Sequence, residues 1–256
     1  PQYMRIYGYP LAWSPPLAAP LIGTPIVVDI KSKEDFDKYR GKLRGGVVMN
    51  GRPCESDIGF KPEAERLDEA ALTKQSGEIN PGKPASLQEE DEDYNKALDK
   101  QVEILKFFAS EGVAAVITAS SIRENVRVSG YYDHKWNAPF PSFVFSREHY
   151  GRLVRMLDRK IPIKLSLSLS ARFSDNVEGF NVIAEIPGED PALRDQIVLV
   201  GAHLDSLPAA AGATDNADGA AAAVEAMRIL KAVGAHPRRT IRVAIWSGEE
   251  VGFLGG

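Results

Sequence analysis

Between Asn181 and Trp246 the apolar residues change period, and that change constrains the fold more than any other feature of the 256-residue chain. Asn181 to Ile186 reads as a short strand closed by Pro187-Gly188. Gln196 to Val200 is nearly continuous apolar sequence, as expected of a buried strand. Ala220, Val224, Met227 and Leu230 then mark one face of a helix that starts near Ala217 and stops near Gly234. Thr240 to Trp246 returns to strand. Strand, strand, loop, helix, strand is the pattern of an α/β layer with a mostly parallel core.

Upstream the elements are shorter. Residues 1–24 are rich in proline and aromatics and read as an irregular leading segment. Ile26–Ile30, Gly45–Met49, Val113–Ile117 and Phe143–Phe145 read as strands, and Lys33–Arg40 as a short helix. Leu98, Val102, Leu105 and Phe108 sit at helical spacing, and Ser146 is a candidate N-cap for a helix carrying Leu153 and Met156 inward. Residues 55–95, with the acidic run Glu89–Asp93, read as a solvated polar excursion. From Ile161 to Leu169 apolar residues alternate with Pro162, Lys164, Ser166 and Ser168, which predicts a half-buried strand near a sheet edge. These elements form a small α+β unit over residues 25–165, and residues 166–256 begin a second, α/β domain. The chain reads as cut at both ends, since it opens without a start Met and closes at Gly255-Gly256.

Charge and cysteine usage exclude several classes. The net charge is −4 and Arg238-Arg239 is only a pair, so no basic block points to nucleic acid. No apolar run is long enough to span a bilayer. Cys54 is the single cysteine, which excludes an internal disulfide and a cysteine zinc cluster.

Three stretches carry ligand chemistry. Gly201-Ala202-His203-Leu204-Asp205-Ser206 follows the strand 196–200, at the carboxyl end where α/β sheets bind ligands. His203 and Asp205 are two apart, so on extended backbone their side chains leave on one side, and the Asp205 carboxylate can accept from the ring nitrogen that His203 leaves free. Gly212-Ala213-Thr214-Asp215-Asn216-Ala217-Asp218-Gly219 runs from a loop into a helix start. Asp215 is on the loop, whereas Asp218 suits the first helical turn and takes a structural role. Trp246-Ser247-Gly248-Glu249-Glu250-Val251-Gly252 follows the last strand. Adjacent carboxylates point apart, so one can bind metal while the other takes a proton from water. Singly, each stretch has a plainer reading: a structural histidine, a turn, a solvated acidic pair. Together they supply the nitrogen and oxygen donors that zinc accepts.

These three stretches resemble the co-catalytic zinc exopeptidases, the leucyl aminopeptidase and plasma glutamate carboxypeptidase type. The resemblance is specific over residues 196–256 and implies the first half of a mixed-sheet α/β sandwich. It implies two zinc ions per intact site, with His203 as ligand of one, Glu250 of the other and Asp215 bridging. It implies Glu249 as general base, Asp205 as the carboxylate behind His203, and a cis peptide bond between Asp215 and Asn216. Further ligands, an aspartate and a histidine, belong downstream of residue 256, so these residues alone are expected to be inactive. Residues 25–165 are similar to a protease-associated domain, on element order more than on any motif. His134, His149 and His236 read as loop, capping or surface groups. The activity implied is release of terminal residues from a peptide substrate, in an extracytoplasmic compartment, with a homo-oligomer left open. Two rivals remain: a related amidohydrolase or deacylase, and a non-catalytic receptor module on the peptidase fold.

Overall fold

A computed structural model describes residues 3–53, 66–78, 85–122, 125–129, 138–176 and 178–255. Cys54, His134 and parts of the polar stretch at 55–95 lie outside the described residues. The chain forms two compact units, Pro1–Arg127 with Ala138–Ala171, and Val128–Asn137 with Arg172–Gly256.

The first unit is built on a five-stranded sheet. Its strands are β1 (Gly8–Pro10), β3 (Pro25–Val28), β4 (Val47–Asn50), β5 (Ala115–Ala119) and β6 (Ser142–Phe145), after β2 (Leu21–Gly23), which lies elsewhere. The order is β1-β6-β5-β4-β3, with β3 to β6 parallel and β1 antiparallel at one edge. The helices are α1 (Asp35–Tyr39), α2 (Glu69–Glu78), α3 (Ala85–Glu111) and α4 (Arg147–Asp158). Val47, Met49, Ala115, Ile117, Phe143 and Phe145 project from the sheet into one cluster with Tyr150, Leu153 and Val154 of α4. Ser146 caps α4, its hydroxyl accepting from the His149 N–H at 3.5 Å. Within α3, Ile104, Leu105, Phe107 and Phe108 are buried, and Phe107 meets Phe36 edge-on at 4.9 Å.

Three expectations change here. The helix containing Leu98 and Phe108 begins at Ala85, so its backbone includes the acidic run. Charge alone does not oppose helix, since glutamate is a good helix former. The leading segment is not wholly irregular: β1 joins the sheet, and β2 pairs antiparallel with β7 (Leu165–Leu167). The alternation holds in burial only from Ile163, with Ile163, Leu165 and Leu167 inside and Lys164 and Ser166 outside, whereas Ile161 is exposed, and only three residues pair.

The second unit holds a mixed three-stranded sheet. Its strands are β8 (Val182–Ile186), β9 (Ile197–His203) and β10 (Thr240–Trp246), in the order β8-β10-β9. β9 and β10 run parallel, while β8 is antiparallel to β10, so the core is less parallel than the element order suggested. Helix α5 (Asp218–Ala232) packs Ala220 and Ala223 against Ala202, Val243 and Ile245, with Met227 and Val200 at the margin. The buried face of α5 therefore centres on Ala220, Ala223 and Met227, and Val224 points outward. Gly234 follows α5 with φ 66°, a left-handed stop that glycine takes without a Cβ penalty.

β9 also departs from expectation. Its sequence reads as buried, yet Ile197, Val198 and Leu199 are about half exposed. The strand is at a sheet edge and α5 covers its carboxyl end, so burial begins only at Ala202 and His203. Gly201 pairs with Ala244 of β10. A Cβ there would stand 2.2 Å from the Ala244 carbonyl oxygen and 2.6 Å from the Trp246 ring, so no side chain fits.

Candidate metal centre

β9 and β10 are in register over seven pairs, from Thr240 opposite Ile197 to Trp246 opposite His203. The two strands therefore end level, and the turns that leave them carry His203-Leu204-Asp205 and Glu249-Glu250 from one end of the sheet. The third stretch arrives through a wide turn at Ala213–Ala217 that leads into α5. Its backbone leaves helical geometry at Asp215 (φ −123°, ψ 90°) and Asn216 (φ −139°, ψ 40°), and the peptide bond between them is cis. Asp218, in the first turn of α5, spends its carboxylate on the Gly219 N–H at 2.6 Å.

His203, Asp215 and Glu250 converge, each offering a ligand atom within 4.8 Å of the others. His203 Nε2 is 3.0 Å from Asp215 Oδ1 and 3.7 Å from Glu249 Oε2. His203 is buried, Glu250 half-buried and Asp215 exposed. Burial disfavours a charged His203 ring, but the Asp205 carbonyl and the Glu249, Asp215 and Asp205 carboxylates outweigh it and hold its pKa above the usual value. Burial pushes the Glu250 carboxyl up, and the Asp215 and Glu249 charges push the same way, against a Leu207 N–H that donates to Oε1 at 3.2 Å. A cation at this point would relieve that repulsion. One imidazole nitrogen with carboxylate oxygens is a donor set for zinc, so the residues fit the ion.

Asp205 does something other than its spacing suggested. His203 Nδ1 makes its hydrogen bond with the backbone carbonyl of Asp205 at 2.9 Å, while Asp205 Oδ1 is 3.5 Å away. A carbonyl only accepts, so Nδ1 carries the proton and Nε2 is left to face the carboxylates. The Asp205 carboxylate accepts instead from Glu249 N–H (3.2 Å) and Glu250 N–H (3.1 Å), one on each oxygen. It therefore ties the turn after β9 to the turn after β10. The reason is geometric: backbone amides at a tight turn are orphan donors and outcompete a histidine whose ring is already satisfied.

His236 and His149 are elsewhere. His236 pairs with Glu189 at the surface at 2.5 Å, and His149 Nδ1 accepts from the Tyr7 N–H at 2.8 Å. Sequence reasoning missed the Leu207 N–H on Glu250 and the side chain of Asn181, which reaches the Glu-Glu turn; neither carries a motif.

With this geometry in hand, the comparisons are specific about one part of the chain. The sequence profile of peptidase family M28 matches residues 181–256, the stretch that holds β8, β9, α5, β10 and all five candidate residues. Residues 181–256 thus resemble peptidase family M28. Outside that stretch the likeness is broader: carboxypeptidase Q of Xenopus laevis is 32% identical over 172 residues, 63% of this chain and 36% of its own. Two solved structures share the fold. A peptidase M28 precursor from Shewanella amazonensis SB2B has a TM-score of 0.64 at 22% identity, over 100% of this chain and 51% of its own. A zinc aminopeptidase from Bacillus subtilis has a TM-score of 0.59 at 20% identity, over 98% and 47%. The chain thus spans 36% to 51% of the length of these three proteins.

Proposed function

We propose that the protein carrying this chain is a zinc-dependent exopeptidase that releases terminal residues from peptides. The observation that carries the reading is the convergence of His203, Asp215 and Glu250 at the level ends of β9 and β10. Two ions would be held here, with His203, Asp215 and Glu250 as their ligands. Zinc supplies a lowered pKa for water and a Lewis acid for the scissile carbonyl. Glu249 serves as general base, taking the water proton and returning it to the leaving nitrogen. Its place beside the cluster, 3.7 Å from Nε2 and partly open to solvent, supports that role. The Asp205 carbonyl keeps His203 in the tautomer that a ligand needs.

The sheet unit over residues 25–165 serves as a protease-associated-like domain ahead of the peptidase segment. The protein works outside the cytoplasm; one solved relative is a precursor, in keeping with export. No helix among the described residues is long and apolar enough to cross a membrane. Relatives named carboxypeptidase and aminopeptidase both occur, so either peptide end is allowed as substrate.

The test is hydrolysis of aminoacyl and dipeptide substrates by the full-length protein, zinc-loaded and after chelation. Turnover lost with chelation and restored by zinc is expected. Turnover that survives chelation, or none with any terminal peptide substrate, overturns the proposal.

A further inference from the structure

We propose that Asn181 is a positioning residue for the Glu249-Glu250 turn, acting by clamping both ends of the loop that carries it; this rests on the exopeptidase reading only for its kinetic consequence. Asn181 immediately precedes β8, where Val182 pairs with Ile245 of β10. That register sets Asn181 beside the carboxyl end of β10, at the exposed rim of the sheet. Its Oδ1 accepts the Ser247 N–H at 3.0 Å, and its Nδ2 donates to the Gly255 carbonyl at 2.5 Å. One amide therefore bridges Ser247 and Gly255, the ends of a nine-residue stretch that contains both glutamates.

The loop is built to close at that neck. A Cβ on Gly255 would lie 2.0 Å from the Ser247 carbonyl oxygen and 2.8 Å from Asn181 Oδ1, so only glycine lets the ends meet. Inside the neck, Leu254 N–H bonds to Gly248 O at 2.9 Å, and Gly252 and Phe253 N–H groups bond to Glu249 O at 3.1 and 3.0 Å. Gly248 and Gly252, at φ 81° and 103°, make the tight reversals. Asp205 holds the two glutamate amides from the His203 side. Asp205 thus sets where the turn sits against His203, and Asn181 stops the loop from pivoting about that attachment. An asparagine suits the task because it offers a donor and an acceptor together. Aspartate would lose the bond to the Gly255 carbonyl, and alanine both.

The experiment uses the full-length protein with Asn181→Ala and Asn181→Asp, and reads three quantities. Amide hydrogen exchange in the metal-free protein is expected to rise at least about tenfold across residues 247–255, while β9 and β10 amides stay at wild-type rates. Zinc affinity, or kcat in the zinc-loaded protein, is expected to fall by about 10- to 100-fold, with KM moved by less than about twofold. Asn181→Asp should lie no closer to wild type than a single retained bond allows. Wild-type exchange over 247–255, or a rise spread evenly through both strands, overturns the clamp. Wild-type zinc affinity together with wild-type kcat does the same. If the unsubstituted protein hydrolyses nothing, the exopeptidase reading fails by itself, and exchange with zinc affinity still decides the role of Asn181.

Discussion

Replacing Asp205 with asparagine isolates one connection in the site. The side chains have the same shape, but only the carboxylate presents an acceptor to each glutamate amide: Oδ1 to Glu249 N–H and Oδ2 to Glu250 N–H. Asparagine keeps one acceptor and turns an NH2 group toward the other N–H, so one charge-assisted bond is lost and two donors face each other. A bond to a charged group is worth about 1.5–3 kcal/mol. The Asp205 side chain is 24% exposed, so water compensates in part and the lower end applies. About 1.4 kcal/mol is tenfold in an equilibrium constant, which sets the expected loss of metal affinity at roughly tenfold to at most about 100-fold. The assay is zinc competition against a chromophoric chelator, on the full-length protein. Nitrogen-15 NMR of His203 gives the control: the ring leans on the backbone carbonyl of residue 205, which the substitution leaves in place, so Nδ1 should stay protonated. Unchanged zinc affinity, or a tautomer swap at His203 with the glutamate amides undisturbed, would refute this reasoning and return the carboxylate to the histidine.

Glu249→Gln should leave zinc content near wild type and reduce kcat by about 100-fold or more, since a general base supplies about 10²–10⁴; loss of zinc would show that Glu249 is a ligand. Asp215→Ala should remove metal, measured by elemental analysis after dialysis, because a carboxylate shared by two ions supports both; full zinc content would exclude the bridging role. In the first unit, Asp35 sits in a ring of donors, namely Lys38 and the Lys31 and Ser32 N–H groups, which hold its carboxyl well below the usual carboxylate range. A depressed pKa stabilises the fold above the unfolded value, near pH 4, and the benefit fades as pH falls. Asp35→Asn should therefore lower the Tm at pH 7, with the gap from wild type narrowing below about pH 4; a gap constant with pH would mean that shape, not charge, matters there.

The parts of this structure legible in the sequence are those set by local pattern. The apolar run of β9, the run of β10 and the glycine stop after α5 all appear where periodicity and turn chemistry place them. The convergence of His203, Asp215 and Glu250 follows from their positions at strand ends and a helix start. What stayed hidden depends on distant partners. The exposure of Leu199 reflects what lies across a sheet edge, and the outward turn of Val224 reflects two alanines better placed against β9. The donors to Asp205 are backbone amides more than forty residues away, and every residue type except proline has one. β1 and β2, at three residues each, are too short for a period to show.

Gly201 works as a key cut for one lock. The Trp246 ring lies over the one position in β9 that has no side chain, and a one-residue slip would bring Val200 or Ala202, each with a Cβ, to that position. If β9 slid along β10 by one residue, His203 would be displaced by about 3.3 Å from the level of Glu250 and turned to the other face of the sheet. The mis-set pairing is rejected before any metal arrives. The spacing of the candidate ligands is thus proofread by an absence, one missing methyl group two residues upstream of His203.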